Sequence, residues 1–204
     1  MLLLAYDRYQ SGEATLSDTY RRYRAIKHGI MQFYQPRPTG HREKHFNTLA
    51  ALICGLVGGK HAHLPACADH APTNRAKQQS VIERFRRFLK NDRHTIDGWF
   101  SPVAKELLRA LAAQPLQLVM DGSVVGRGCI ALMLSVVYHG RALPLCWLVV
   151  RGSKGHFPEQ THRELLAQLQ ALVPPDATAI FLGDGEFDGI ELQADLQAYG
   201  WHYV

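Results

Sequence analysis

Two aspartates come just after apolar segments that are typical of buried strands. Asp121 follows residues 116–120, and Asp184 comes two residues after the end of residues 177–182. We expect both side chains to lie at strand ends, where they meet at one edge of the sheet if the two strands are neighbours. Paired carboxylates repel each other unless a proton or a cation separates them, and hard oxygen ligands suit Mg²⁺ or Mn²⁺. Two such ions can activate an attacking oxygen and stabilise the leaving oxygen in phosphoryl transfer, so the pattern indicates that chemistry.

A simpler interpretation exists for each aspartate alone. Asp-Gly is a common turn dipeptide, and an aspartate accepts backbone hydrogen bonds in turns. Two aspartates that each follow a buried strand favour the functional interpretation. Glu186 and Asp188 are competing acids nearby, and Asp188 alternatively caps the helix that follows it.

The charge of the chain divides sharply near Pro115. Residues 1–115 hold 18 Lys and Arg against 9 Asp and Glu, a net charge of +9, whereas residues 116–204 hold 5 against 9, a net charge of −4. A basic part beside an acidic part suggests a module that binds a polyanion, although a solvated basic face gives the same composition. We therefore predict two domains, a basic helical region over 1–115 that is a candidate for binding DNA, and a second domain over 116–204 with a different kind of site.

Basic residues that could contact DNA fall in two places. A helix is predicted over residues 74–91, because its apolar residues form one stripe at helical spacing. The DNA-binding candidates are Arg84, Arg86, Arg87 and Lys90 on that helix, and Arg151 and Lys154 in a basic loop after a predicted strand. With two shorter helices before it, the basic helix is compatible with a helix-turn-helix motif, and a plain helical bundle fits equally well.

The order of predicted elements indicates an α/β (α+β) fold. Helices are predicted over 45–57, 63–70, 74–91 and 101–113, strands over 116–120, 128–139 and 142–150, and then helix 159–172, strand 177–182, helix 188–199 and a strand from 201. A meander followed by alternating helices and strands predicts a mixed sheet that helices cover.

Composition also bears on the compartment. The four cysteines have no regular spacing, which fits reduced thiols inside a cell. The longest apolar runs are shorter than the roughly 18 residues of a membrane span, and the opening residues do not form a signal peptide. We expect a cytoplasmic protein that does not bind membranes.

Four segments in this order resemble one family. They are Met120-Asp-Gly-Ser, Leu143-Pro-Leu-Cys-Trp, Gly183-Asp-Gly-Glu-Phe-Asp-Gly-Ile and Tyr199-Gly-Trp-His-Tyr-Val. Together they resemble the insertion-sequence transposases that use Asp-Asp-Glu chemistry, of the insertion-sequence-four type. The resemblance covers residues 116–204 well, and residues 41–113 are similar in kind to the DNA-binding region of such enzymes.

The resemblance implies a ribonuclease-H-like catalytic domain and a DNA transposase. The family's first catalytic aspartate corresponds to Asp121 and its second to Asp184, which an aromatic residue, here Phe187, follows at the family's spacing. Both would hold Mg²⁺ or Mn²⁺ while water, and later a DNA 3′-hydroxyl, attacks phosphodiesters. The implied partner is double-stranded DNA, at the ends of the insertion sequence and at its target.

The sequence departs from the family at the third acid. That residue is a glutamate on a downstream helix, and after Asp184 only Glu186 and Glu191 occur, too close to take its place. The ribonuclease-H-like sheet is accordingly expected to be incomplete, and the chain inactive alone. It would then act as a fragment that associates with a full-length transposase or with its own copies. The alternatives are a non-catalytic DNA-binding protein that inhibits a full-length enzyme and, as a weaker option, a ribonuclease-H-like enzyme acting on RNA.

Overall fold

A computed structural model describes residues 18–72, 76–152 and 157–204. The chain forms two compact units, one up to His94 and the other from Thr95 onward. The units therefore divide between these two residues, whereas the change in charge along the sequence falls at Pro115. No helix among the described residues is long and apolar enough to cross a membrane.

The first unit is helical. Its helices are α1 (Asp18–Met31), α2 (Gly40–Gly59), α3 (Leu64–Asp69) and α4 (Gln78–Leu89). The helices predicted over 45–57, 63–70 and 74–91 are present with shifted bounds, and residues 74 and 75 lie outside the described residues. The core forms where α2, α3 and α4 meet, around Leu52, Cys67, Val81 and Phe85.

The α2–α3 contact depends on one glycine. A Cβ atom at Gly55 would lie 2.2 Å from the carbonyl oxygen of Cys67, so only a residue without a side chain fits there. The glycine lets the backbones of α2 and α3 approach at the buried centre of the helical unit.

The second unit combines a sheet with helices. In chain order its elements are α5 (Ile96–Trp99), α6 (Ser101–Leu111), β1 (Leu116–Gly126), β2 (Cys129–Tyr138), β3 (Arg141–Arg151), α7 (Glu159–Gln170), β4 (Ala179–Leu182), a 3₁₀ turn (Gly185–Phe187), α8 (Ile190–Ala198) and β5 (His202–Tyr203). Helix α6 begins at Ser101 with Pro102 in its first turn, as predicted, because proline at that position loses no helical hydrogen bond.

The sheet has the strand order β3-β2-β1-β4-β5. The pairs β1–β2 and β2–β3 are antiparallel, and the pairs β1–β4 and β4–β5 are parallel. Helix α7 connects β3 to β4, and α8 connects β4 to β5, as parallel strands require a crossover. This order and direction of strands is the ribonuclease-H-like arrangement, so the predicted α/β fold class is confirmed.

Buried and more exposed side chains alternate along the first part of β1, so the strand has a buried face and an open face. Leu116, Leu118 and Met120 are buried in a core that includes Leu165, Leu166 and Leu169 of α7. The intervening residues Gln117 and Asp121 are exposed. Because side chains alternate between the two faces of a strand, Asp121 projects away from this core.

Candidate metal centre

Asp121 lies in the middle of β1 and not at its end. The strand continues through Gly126, and Asp121 pairs with Met133 of β2. The expectation of a strand end was wrong because the Asp121-Gly122 pair forms no turn: β2 extends the ladder past it, and β-branched Val124 favours an extended chain. Asp121 is exposed, and the hydroxyl of Ser123 donates a hydrogen bond to its Oδ2 at 3.1 Å.

Asp184 lies just beyond β4, as predicted. Its backbone stays extended (φ −84°, ψ −178°), and its Oδ1 accepts a hydrogen bond from the backbone N–H of Glu186 at 3.0 Å. The side chain therefore caps the 3₁₀ turn Gly185–Phe187. The turn interpretation is thus correct for Asp184, and the cap fixes the orientation of the carboxylate at the end of the strand.

The register of β1 and β4 gives the two aspartates equivalent positions beyond the last paired residues. The parallel pairing runs from Leu116 opposite Ala179 to Val119 opposite Leu182. Asp121 lies two residues beyond Val119, and Asp184 lies two residues beyond Leu182. Side chains two residues apart in a strand share a face, which gives Asp121 the face of Val119, and neighbouring strands lie about 4.8 Å apart.

The donors at this position fit a hard divalent cation. Two exposed carboxylates in the same register repel each other, and a cation between them removes that repulsion. Oxygen ligands are those that Mg²⁺ and Mn²⁺ prefer, and Mg²⁺ usually binds through one or two carboxylates with water and phosphates in the other positions. Within the described residues no group of three His, Cys, Asp or Glu side chains is placed to hold a metal.

Two buried polar atoms behind Asp184 have no hydrogen-bond partner. They are Oε1 of Glu186 and Nε2 of His162 on α7. The His162 ring is 3% exposed, and its centroid lies 4.9 Å from the Phe187 ring in an edge-to-face arrangement. Burial lowers the pKa of His162, and the carboxylates of Glu186 and Glu159 oppose that shift. Sequence reasoning missed His162, although it lies three residues before Leu165 on the apolar stripe of α7.

The lowered pKa of His162 makes the second unit sensitive to acid. A histidine whose pKa is lower in the folded state stabilises the fold fully above its unfolded pKa of about 6.5, and that contribution is lost as the pH falls through the folded pKa. We expect the melting temperature to fall below pH 6.5, and His162→Phe to make this fall smaller. Thermal unfolding at several pH values checks this, with His202→Gln, an exposed histidine of the same unit, as the control. An equal acid sensitivity of His162→Phe and the wild type would contradict the prediction.

Two other acids near Asp184 in the sequence, Asp188 and Glu191, lie in different surroundings. Asp188 is exposed, and α8 begins at Ile190 after Gly189, so Asp188 does not cap that helix. Glu191 forms an ion pair with Arg163 of α7, which also bonds Asp195 at 2.6 Å. These contacts hold α7 against α8 and engage Glu191 away from the two aspartates.

The candidate DNA-binding residues differ in their burial and in their hydrogen-bond and ion-pair partners. Arg84 is half-buried, and its Nε and Nη2 atoms are buried without a hydrogen-bond partner. Arg86 pairs with Glu83, and Arg87 Nε donates to the carbonyl oxygen of Glu83 at 3.4 Å. Lys90 and Arg151 are exposed, whereas Lys154 lies outside the described residues.

Comparisons with known proteins add little to this geometry. No protein-family model matches the sequence, and no curated protein matches it. Among solved structures, the chain is similar to one in the crystal structure of a pre-cleavage Mos1 transpososome, with 11% identity, 93% of this chain and 78% of that chain covered, and a TM-score of 0.26. A similarity of this size assigns neither a function nor a site.

Proposed function

We propose that this chain is a DNA transposase, or a piece of one, in which Asp121 and Asp184 bind Mg²⁺ or Mn²⁺. The observation that carries the proposal is the β1–β4 register, in which each aspartate lies two residues beyond the last paired residues, Val119 and Leu182. The ribonuclease-H-like strand order supports it, as does the resemblance of the surrounding segments to transposases of the insertion-sequence-four type. We assign the reaction to metal-dependent phosphodiester hydrolysis and strand transfer in DNA recombination.

The protein's own contribution is to hold the two carboxylates in place. The backbone of Asp121 is held by its pairing with Met133 of β2, and β1 also pairs with β4 up to Val119. Asp184 is held by its bond to the Glu186 N–H, and Phe187, 1% exposed, anchors that turn in the core. A bound metal ion would activate the attacking oxygen and stabilise the leaving oxygen. Rigid carboxylates keep the ligand geometry without reorganisation during the reaction.

The third carboxylate of the Asp-Asp-Glu set has no counterpart in this sequence. We propose that the remaining ligands come from water, from DNA phosphates and from a segment of a full-length transposase or of another copy of this chain. The same proposal assigns the ends of an insertion sequence and its target as the double-stranded DNA partners, and the cytoplasm as the compartment.

Nicking of a supercoiled plasmid tests the function directly. Because another copy of the chain can supply the missing ligand, we expect the self-associated chain to convert supercoiled DNA to open circles in Mn²⁺ or Mg²⁺, and EDTA to abolish the reaction. An RNA–DNA hybrid of the same sequence serves as the competing substrate. Cleavage that persists in EDTA, or cleavage of the hybrid alone, would overturn the proposal.

A second candidate follows from the incomplete ligand set. A non-catalytic DNA-binding protein that inhibits a full-length transposase needs only the basic helical unit, and two carboxylates hold a metal ion less firmly than three. It predicts binding of duplex DNA that weakens steeply as salt rises, because phosphate contacts release counterions. Such binding without nicking in any divalent metal would favour this candidate over the enzyme.

A further inference from the structure

A basic cavity lies beside α1 in the helical unit. Its volume is about 310 Å³, and its lining includes four residues that carry or can acquire positive charge: Arg24, Lys27, His28 and Arg37. The other lining residues are neutral, and Met31, 7% exposed, belongs to the buried side of α1. The cavity therefore presents positive charge with no carboxylate among its lining residues.

Helical spacing explains why these residues converge. Arg24, Lys27, His28 and Met31 lie at positions i, i+3, i+4 and i+7 of α1, which places them on one face of the helix. Arg37, in the chain that leads from α1 to α2, closes the cavity from another side. One helix face and the following segment thus form a single concave surface.

The two arginines of this cavity have no ion pair with a described residue. Among the described residues neither Arg24 nor Arg37 has an ion-pair partner, and both are exposed. Lys27 Nζ lies 3.5 Å from Glu43 Oε1, a long contact at the rim. On α4, Arg86 is paired with Glu83, Arg84 is half-buried and Arg87 donates to the carbonyl oxygen of Glu83, whereas Lys90 after the helix is exposed. An unpaired guanidinium can donate two parallel hydrogen bonds to a phosphate without first breaking an ion pair.

We propose that this cavity binds the backbone phosphates of double-stranded DNA and is the main phosphate contact of the helical unit. The inference rests on the proposed function in taking duplex DNA as the partner. The spread of the cations favours a polymer over a small anion, because Arg24 and His28 are about 6 Å apart along the helix axis and Arg37 comes from a different segment. A row of cations along an open wall matches a line of phosphates.

Two matched triple variants test the assignment. Arg24→Gln/Lys27→Gln/Arg37→Gln removes three positive charges from the cavity, and Arg86→Gln/Arg87→Gln/Lys90→Gln removes three from α4. The probe is a fluorescent 20-base-pair duplex, and its anisotropy is measured in EDTA at several salt concentrations. We expect the cavity variant to bind at least tenfold more weakly, and its slope of log affinity against log salt to be shallower by about two to three, since each lost phosphate contact removes about 0.9. We expect the α4 variant to bind within about threefold of the wild type.

Several outcomes would overturn the assignment. Equal losses in both variants would mean that only total charge matters, and a larger loss in the α4 variant would move the contact to α4. Wild-type protein that binds inorganic phosphate but not the duplex would assign the cavity to a small anion. Glutamine preserves helix propensity, and equal melting temperatures confirm that both variants are folded.

The assay separates this inference from the proposed function. Binding in EDTA does not require a metal, so the measured affinity does not depend on the proposed metal centre. Failure of the cavity variant to lose affinity would leave metal-dependent nicking untouched. Failure of nicking, with the cavity effect intact, would remove the catalytic proposal and keep the DNA-binding surface.

Discussion

Replacing Asp121 with asparagine is expected to slow Mn²⁺-dependent nicking of DNA by about 100-fold or more, and Asp184→Asn should have an effect of the same size. The amide keeps the shape of the side chain but removes one of the two negative charges of the proposed metal centre. A metal ion held by a single carboxylate is bound more weakly and stabilises less of the charge that develops in phosphoryl transfer. Quantifying open-circle DNA over time, at saturating Mn²⁺, measures the loss.

Asp176→Asn is the matched control for this pair. Asp176 is exposed in the turn that leads into β4, at the opposite end of that strand from Asp184. The substitution removes the same charge from the same unit, so it should leave the nicking rate within about twofold, as expected for a surface change far from the reacting groups. An equal loss in Asp176→Asn, or no loss in Asp121→Asn, would contradict the assignment of the two aspartates.

Gly55→Ala is expected to destabilise the helical unit by about 3 kcal/mol, at the upper end of overpacking effects. The added Cβ would lie 2.2 Å from the Cys67 carbonyl oxygen, a backbone atom that moves only if α3 moves as a whole. Alanine in place of glycine gains about 1 kcal/mol of helix propensity, which does not offset a clash with buried backbone. Urea unfolding, followed by helical circular dichroism, measures the change in the free energy of unfolding.

Gly29→Ala provides the matched control in α1. A Cβ atom there meets nothing within 4 Å, so only the propensity gain remains, and we expect stabilisation by up to about 1 kcal/mol. The two substitutions are chemically identical and both lie in helices of the same unit. Similar effects of the two would show that α2 and α3 do not approach as closely as the Gly55–Cys67 contact requires.

The sequence was a better guide to Asp184 than to Asp121. The apolar run at 177–182 forms β4, and Gly183-Asp184 follows it, so composition alone located the end of that strand. Asp121 precedes a glycine, and the Asp-Gly dipeptide is typical of turns. Pairing with β2 nevertheless extends β1 to Gly126. A prediction from neighbouring residues does not include strand pairing, because the partner strand comes from another part of the chain.

The environment of His162 was beyond sequence reasoning for the same reason. Its position on α7 follows from the leucine spacing, but the ring that packs against it belongs to Phe187, in the turn after β4. The alignment of Asp121 with Asp184 likewise depends on the β1–β4 register. Two apolar strands can pair in several registers, and burial of Leu118 beside Phe181 selects the one observed.

Binding of Mn²⁺ tests the central claim most directly. Electron paramagnetic resonance of free Mn²⁺, titrated with the wild-type chain, Asp121→Asn, Asp184→Asn and Asp176→Asn, reports how much metal each protein binds. Our account predicts one site in the wild type and in Asp176→Asn, and loss of that site in each of the other two variants. Equal binding by all four proteins, or no binding by the wild type, would contradict the claim that Asp121 and Asp184 form a metal centre.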